Sequence, residues 1–133
     1  MRKAEQQKKD HIDSLTSVLM PVYNEEKYVE EAIMSVASQD CKNIEIVIVN
    51  DGSTDRTEEK VFEAIDKIKD NTKVTYFAFE QNKGKVAAIN KAFSLSSGDY
   101  IALLAGDDVM ACNSIESRKE FLENNKFDVV CSD

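Results

Sequence analysis

Short apolar runs alternate with amphipathic segments along most of this chain. Five runs have the composition of strands, and the four segments between them carry apolar residues at helical spacing. Parallel strands need a long crossover, usually a helix, so this alternation predicts a parallel sheet with helices on both faces. The predicted strands are Ser17–Met20, Ile44–Val49, Lys73–Phe79, Tyr100–Leu104 and Asp128–Cys131. We therefore predict an α/β fold with three layers, α/β/α, and a mainly parallel sheet.

Turn and cap residues suggest where these elements begin and end. Pro21 cannot donate to a strand ladder, so we expect it to end the first strand. Asn24 is expected to cap the first helix, with Glu25 and Glu26 in its first turn. Two further helices should begin at pairs with capping-box spacing, which are Asp55 with Glu58 and Asn113 with Glu116.

Length and composition narrow the class of protein. The 133 residues, 42% of them apolar, suit one domain with its own core. A net charge of −8 argues against nucleic acid as a partner, because a phosphate backbone requires a basic surface. No apolar run approaches the roughly 20 residues of a membrane helix, so we expect no membrane segment in this chain.

The cysteines indicate a reducing compartment. Cys41, Cys112 and Cys131 are odd in number and form no C-x-x-C pair, which favours neither a disulfide framework nor a zinc site. His11, the only histidine, lies in a polar tail at residues 1–14, where we expect no chemistry. We predict that the protein is cytoplasmic. Any attachment to the inner face of the membrane would have to come from parts outside this chain.

A polar cluster follows each of the first four predicted strands. The clusters are Pro21–Glu26, Asn50–Asp55, Gln81–Lys85 and Gly106–Asp108. Turns are commonly polar, so one cluster alone would mean little. The carboxyl ends of parallel strands meet at one edge, where such sheets bind ligands. Four clusters there, three of them acid-rich, predict a binding site.

The last cluster has the sharpest chemistry. Asp107 and Asp108 stand at a strand end, where one carboxylate can bind a hard divalent cation while the other faces a sugar or orders the loop. The alternative is a pair of turn aspartates ahead of the cap at Asn113. Gly52 can let the backbone approach a ligand, or the surrounding residues can form a plain Asx-turn.

The ordered motifs PVYNEE, IVIVNDGSTD, NKGKVAAIN and GDYIALLAGDD resemble the inverting glycosyltransferases of family 2, which have the GT-A fold. The resemblance covers about Ser17 to Asp133 and implies that residues 15–133 are the nucleotide-sugar-binding part of a GT-A domain. Such enzymes transfer a sugar from a nucleotide-diphosphate sugar, usually a UDP-sugar, with Mg²⁺ or Mn²⁺ at the diphosphate. The implied acceptor is a glycan or a lipid-linked glycan, as in polysaccharide or cell-envelope synthesis.

The resemblance also implies which residues bind the donor. Those expected at the nucleoside are Pro21, Tyr23, Glu25, Asn50 and Asp51. Those expected near the base or the diphosphate are Gly84 and Lys85. Asp107 would be the metal-binding acid, with Asp108 beside it. The catalytic base is expected beyond Asp133, so no catalytic residue is named.

Two departures from the family pattern affect the expected donor site. Ala105 stands where the family usually has an aspartate, and Asn50 where it often has another. A site with one metal carboxylate should bind metal less tightly unless phosphates and water complete the shell. An alternative is therefore a truncated or degenerate module that binds nucleotide, or assembles, without catalysis.

Two other classes rank lower, a phospho-accepting receiver domain and a dinucleotide dehydrogenase. The receiver places its acids after other strands, and no G-x-G-x-x-G follows the first strand here. We also expect an open sheet edge and an uncovered apolar face, which predict self-association into a homo-oligomer.

Overall fold

The computed structural model describes residues 14–68, 72–126 and 128–131. Four of the five predicted strands alternate with the four predicted helices in these residues. In chain order they are β1 (Thr16–Val22), α1 (Val29–Ala37), β2 (Ile44–Asn50), α2 (Thr57–Lys67), β3 (Lys73–Ala78), α3 (Lys85–Leu95), β4 (Tyr100–Leu103) and α4 (Ser114–Asn125).

The strands form one parallel sheet in the order β3-β2-β1-β4. The chain first adds strands on one side of β1 and then returns to add β4 on the other. Right-handed crossovers require the helix of the return connection to lie on the opposite face. Accordingly α1 and α2 pack on one face and α3 on the other. The predicted three-layer α/β/α fold and parallel sheet are confirmed.

The core lies on the two faces of β1 and β2, which are buried along their whole length. Alternate residues of a strand point to opposite faces. Val18 and Met20 therefore join the cluster beneath α1 and α2, whereas Leu19 joins Val47 and the small residues of α3. This burial fixes the register of the sheet, because a slip of one residue would exchange the faces.

Pro21 does not end β1, as the sequence led us to expect, but lies within it opposite Val49. The Leu19 carbonyl accepts a hydrogen bond from the Leu104 amide on the β4 side. Residues two apart in a strand direct their backbone groups to the same side, so the nitrogen of Pro21 also points toward β4. β4 pairs with β1 only as far as Leu19. The missing N–H of Pro21 therefore costs the sheet no hydrogen bond.

The predicted cap at Asn24 is wrong. Asn24 has a left-handed backbone with φ of 50°, and its side-chain oxygen accepts a hydrogen bond from the Thr54 amide. The helix begins only at Val29, so Glu25 and Glu26 precede it. A side chain that can cap a helix has found a partner in another loop, which local sequence could not reveal.

Other predicted boundaries fare unequally. Asn113 occupies the N-cap position of α4, as expected, but its side chain makes no capping hydrogen bond, so the expected box with Glu116 does not form. The Asp55–Glu58 box does not form, since the Glu58 carboxylate accepts a hydrogen bond from the Tyr76 hydroxyl instead. The fifth strand predicted at Asp128–Cys131 is also wrong, because residues 128–131 belong to no strand.

A buried carboxylate joins three elements at the amino edge of the sheet, where the strands begin. Glu45 is 1% exposed and accepts hydrogen bonds from the Ser17 hydroxyl at 2.5 Å and the Ser97 amide at 2.6 Å. The Ser97 hydroxyl and Lys73 approach its other oxygen. Burial would raise the pKa of Glu45, but these partners hold it below its ordinary value.

No helix within residues 14–68 and 72–126 combines the length and the apolar character that crossing a bilayer requires.

Candidate functional site

A cavity of about 290 Å³ opens at the carboxyl edge of the sheet, where the strands end. Its position is the one that the topology favours, because the order in which the chain adds strands reverses between the neighbours β1 and β4. All four loops that follow the strands contribute to its wall. The lining residues are Pro21, Val22, Tyr23, Glu25, Asp51, Asn82, Gly84, Lys85, Ala88, Ala105 and Asp107.

The first loop (residues 23–28) and the second loop (residues 51–56) are joined by reciprocal hydrogen bonds. The Asn24 amide donates to Ser53 Oγ at 3.0 Å, while Asn24 Oδ1 accepts from the Thr54 amide at 2.8 Å. The Glu26 amide donates to Asp55, and Glu26 Oε2 accepts from the Arg56 amide. Polar residues of both motifs thus satisfy each other's backbone and hold the two loops together.

Asp51 fastens the third loop (residues 79–84) to the second. It is 3% exposed, and its two carboxylate oxygens accept hydrogen bonds from the amides of Lys83 at 2.7 Å and Gly84 at 3.0 Å. Gly52 has φ of 70°, and a Cβ atom there would lie 2.5 Å from the Asn82 amide nitrogen. Only glycine permits this backbone shape and this close approach.

The fourth loop (residues 104–113) meets the first at Gly106. A Cβ atom at Gly106 would lie 1.8 Å from Glu25 Oε2 and 2.8 Å from Val22 Cγ1. The absence of a side chain at Gly106 therefore lets the Glu25 carboxylate lie against the backbone beside Asp107. The loops adjoin in the order third, second, first, fourth, which is the order of their strands.

Glu25 is a half-buried acid in the cavity wall. Burial is the largest cause that raises its pKa to about 7, and the carboxylates of Asp107 and Asp108 raise it further, whereas Lys85 opposes them. Its Oε2 atom is buried without a hydrogen-bond partner in the described structure. This carboxylate can therefore bind a proton near neutral pH, or a cation if one enters the cavity.

The opposite wall carries positive potential. Gly84, with φ of 97°, occupies the N-cap of α3, and Lys85 is the first residue of that helix. The amides of a first helical turn and the helix dipole both favour an anion. The cavity thus has a cationic wall on α3 facing an acidic wall formed by Glu25 and Asp107.

The structure brings together seven of the nine residues named from the sequence. Pro21, Tyr23, Glu25, Asp51, Gly84, Lys85 and Asp107 all line the cavity. Asn50 is buried outside the lining, where its amide donates to the Tyr76 hydroxyl and its oxygen accepts from Ser53. Asp108 is exposed next to the lining residue Asp107.

Four lining residues were not named as site residues from the sequence: Val22, Asn82, Ala88 and Ala105. Ala105 was noted only as a missing acid. Asn82 lies in the third polar cluster, two residues before Gly84, so its place in that cluster was the available signal. Val22 and Ala88 are apolar and gave no chemical signal, because they contribute open space to the cavity and no polar group.

The acidic wall suits a divalent cation that arrives with phosphates. Within the described residues, no three Asp, Glu, His or Cys side chains form a metal-binding group. Asp107 lines the cavity, and the buried oxygen of Glu25 beside Gly106 lacks a partner. Mg²⁺ and Mn²⁺ commonly combine one or two carboxylates with substrate phosphates and water, so this donor set fits them.

Comparison with known proteins identifies the family. The sequence profile of glycosyl transferase family 2 matches residues 17–133. The chain belongs to glycosyl transferase family 2. A glycosyltransferase of Haemophilus influenzae, itself uncharacterized, is 39% identical over 111 residues, which are 84% of this chain and 43% of that protein. The family 2 chain therefore spans less than half the length of this relative.

Solved structures agree with the family. TarS from S. aureus, crystallised in complex with UDP, superposes with a TM-score of 0.74 at 28% identity, covering 84% of this chain and 33% of that one. Glucosyl-3-phosphoglycerate synthase from Mycobacterium tuberculosis, in complex with Mn²⁺, UDP and glucosyl-3-phosphoglycerate, gives a TM-score of 0.55 at 26% identity over 70% of this chain and 33% of that one. The predicted GT-A fold of this family 2 chain is confirmed.

Proposed function

We propose that this chain binds a nucleotide-diphosphate sugar, most simply a UDP-sugar, together with Mg²⁺ or Mn²⁺, for inverting transfer of the sugar to a glycan or lipid-linked acceptor. The observation that carries the proposal is that Asp51, Lys85 and Asp107 line one cavity at the carboxyl edge of the sheet. Two similar family structures contain UDP, and one of them contains Mn²⁺.

The nucleoside would occupy the part of the cavity between the first and third loops. Tyr23 is 43% exposed and offers an aromatic face, on which a base can stack. Asp51 holds the third loop with both oxygens, and each oxygen retains a lone pair for a base or ribose donor. Asn50 would then support this region through Ser53 and Tyr76, because it lies outside the cavity lining.

The diphosphate would lie between the α3 wall and the acidic wall. Lys85 and the first-turn amides of α3 would bind phosphate oxygens, for which the positive φ of Gly84 opens the backbone. Asp107 would hold the divalent cation, with Asp108 beside it. When bound, that cation would neutralise charge on the departing nucleoside diphosphate.

The rest of the reaction would depend on residues outside this chain. The resemblance to the family implies a general base beyond Asp133, and this stays a prediction. The acceptor class, the pathway of glycan synthesis and the cytoplasmic location likewise stay predictions. So does self-association, for which the exposed apolar side chains Ile101 and Leu103 on the edge strand β4 are the supporting observation.

A non-catalytic binding or assembly module is the competing function, and Ala105 in the cavity wall favours it. Calorimetric titration with UDP, with and without Mn²⁺, separates nucleotide binding from assembly alone. We expect UDP to bind in Mn²⁺ and Asp107→Asn to weaken it by about tenfold or more. The exposed Asp66→Asn is the matched control and should bind as wild type does. Absence of UDP binding at millimolar concentration, with and without metal, would refute the proposal.

A longer polypeptide that includes this chain tests transfer itself. Sugar transfer that is lost on Asp107→Asn and kept on Asp66→Asn would support an enzyme. Binding of UDP without transfer by that polypeptide would favour the module instead.

A further inference from the structure

The carboxylate of Glu25 has binding capacity that the protein does not use. Two buried side-chain oxygens lack a hydrogen-bond partner in the described residues, Thr16 Oγ1 and Glu25 Oε2. Of the two, only Glu25 carries charge, and only Glu25 belongs to the cavity lining. A buried carboxylate oxygen without a partner is costly when it is ionised, so at a binding cavity it offers a position for a cation or for a donor supplied by a ligand.

The backbone of Glu25, in contrast, is fully engaged. Its amide donates to Thr57 Oγ1 at 2.7 Å, and Thr57 Oγ1 in turn donates to Asp55 at 2.5 Å. Its carbonyl accepts from the amides of Tyr28 and Val29. These four residues hold the Glu25 backbone from both sides, and its carboxylate lies against Gly106.

The groups around the carboxylate are mostly acidic. The negative charges of Asp107, Asp108 and Asp55 disfavour the ionised form of Glu25, and the positive charge of Lys85 offsets them. Ala105, on the strand side of Gly106, adds a methyl group to the wall. Negative charge from the first, second and fourth loops thus converges around Glu25, with one lysine to balance it.

We propose that Glu25 supplies a second carboxylate, with Asp107, for the divalent cation that a nucleotide diphosphate brings to the cavity. The inference rests on the proposed function. In this arrangement the first loop provides the acid that position 105 of the fourth loop lacks. Phosphate oxygens and water would complete the shell, as hard divalent cations require.

The test measures Mn²⁺ directly. Electron paramagnetic resonance of free Mn²⁺ gives its affinity for the protein in saturating UDP, and calorimetry in EDTA gives the affinity for UDP alone. Glu25→Gln should weaken Mn²⁺ binding by about tenfold or more and leave UDP binding in EDTA unchanged. Glu31→Gln, an exposed change on α1, is the control and should alter neither.

A compensating variant keeps the test independent of folding defects. Ala105→Asp, combined with Glu25→Gln, should restore Mn²⁺ affinity, because it returns a carboxylate to the same wall from the fourth loop. Thermal unfolding of each variant checks that it is folded. If Glu25→Gln does not fold, Glu25→Asp tests the same point, because the shorter side chain draws its carboxylate back from Gly106. It should weaken Mn²⁺ binding in UDP and leave UDP binding in EDTA unchanged, and an unchanged Mn²⁺ affinity would count against the inference.

The remaining outcomes separate this inference from the proposed function. If Asp107→Asn loses Mn²⁺ while Glu25→Gln keeps it, Glu25 is not a metal carboxylate although the donor site stands. If Glu25→Gln weakens UDP equally in EDTA and in Mn²⁺, Glu25 contacts the nucleotide and the inference is overturned. If wild type binds no UDP under either condition, the proposed function fails and the inference with it.

Discussion

Two glutamates at opposite edges of one sheet have opposite environments. Glu45, at the amino edge, is surrounded by donors from Ser17, Ser97 and Lys73, and its pKa lies below the ordinary range. Glu25, at the carboxyl edge, has an unpartnered oxygen, and its pKa is raised to about 7. Burial disfavours charge at both positions, so the difference comes from the neighbouring groups.

The contrast separates a structural carboxylate from one available to a ligand. Glu45 ties β1, β2 and the segment before β4 together, and the hydroxyl of Ser17 extends the tie by accepting from the Gly98 amide at 2.8 Å. Both carboxylate oxygens of Glu45 accept hydrogen bonds within the protein. The backbone of Glu25 is held by hydrogen bonds, yet its Oε2 atom has no hydrogen-bond partner in the described residues. The carboxylate at the amino edge thus stabilises the fold, and the one at the carboxyl edge is available to bind a ligand.

The largest effect should follow removal of Glu45. Glu45→Ala leaves the Ser97 amide and the Ser17 hydroxyl without their acceptor, and we expect a loss of about 3 kcal/mol in the free energy of unfolding. Urea denaturation at pH 7 measures it. Glu45→Gln keeps one acceptor and should lose less, while the exposed Glu31→Gln serves as control. Equal stability of wild type and Glu45→Ala would show that the network is dispensable.

Acid should remove the same contribution. The folded-state pKa of Glu45 is depressed, so its stabilisation is present above the unfolded value of 4.5 and is lost as pH falls through the folded value. The stability difference between wild type and Glu45→Ala should therefore shrink below pH 4.5. A difference that stays constant into strong acid would contradict this account.

The two glutamates also mark the limit of sequence reasoning. Alternation of apolar runs predicted the element order, the parallel sheet and the edge at which the polar clusters meet, because these follow from local patterns and strand geometry. Glu45 sits in a run identified as buried, but its donors are 28 and 52 residues away. Which polar residue finds a partner depends on the folded topology, which the local pattern does not encode.

The same reason explains the errors at Pro21 and Asn24. Pro21 was expected to end a strand, but the early end of β4 removed the hydrogen bond that it could not make. Asn24 was expected to cap a helix, but Ser53 and Thr54 offered better partners across the cavity edge. In the site, motif positions were predictable, whereas Asn82 entered the lining only because Gly52 lets the third loop approach.

A smaller loss should follow a change in Asp51, which gives the binding edge its own support. Asp51→Asn turns one acceptor into a donor that faces the amide of Lys83 or Gly84, and we expect about 2 kcal/mol of destabilisation. Hydrogen exchange of those two amides should accelerate selectively, since their acceptor is lost. Asp66→Asn is the control, and unchanged exchange at both amides would mean that Asp51 does not hold the third loop.

The smallest effect, and the one of opposite sign, concerns Glu25 in metal-free buffer. A folded-state pKa near 7 against 4.5 unfolded means that the folded protein binds more protons between these values, so stability falls as pH rises from about 4.5 to 7. Glu25→Gln carries no such charge and should be more stable than wild type at pH 8 by about 1 kcal/mol, after allowance for solvent screening. Near pH 4 the two should converge. Urea denaturation in EDTA at both pH values measures the difference. A variant less stable than wild type at pH 8 would mean that Glu25 has partners like those of Glu45, and the two edges of the sheet would no longer differ.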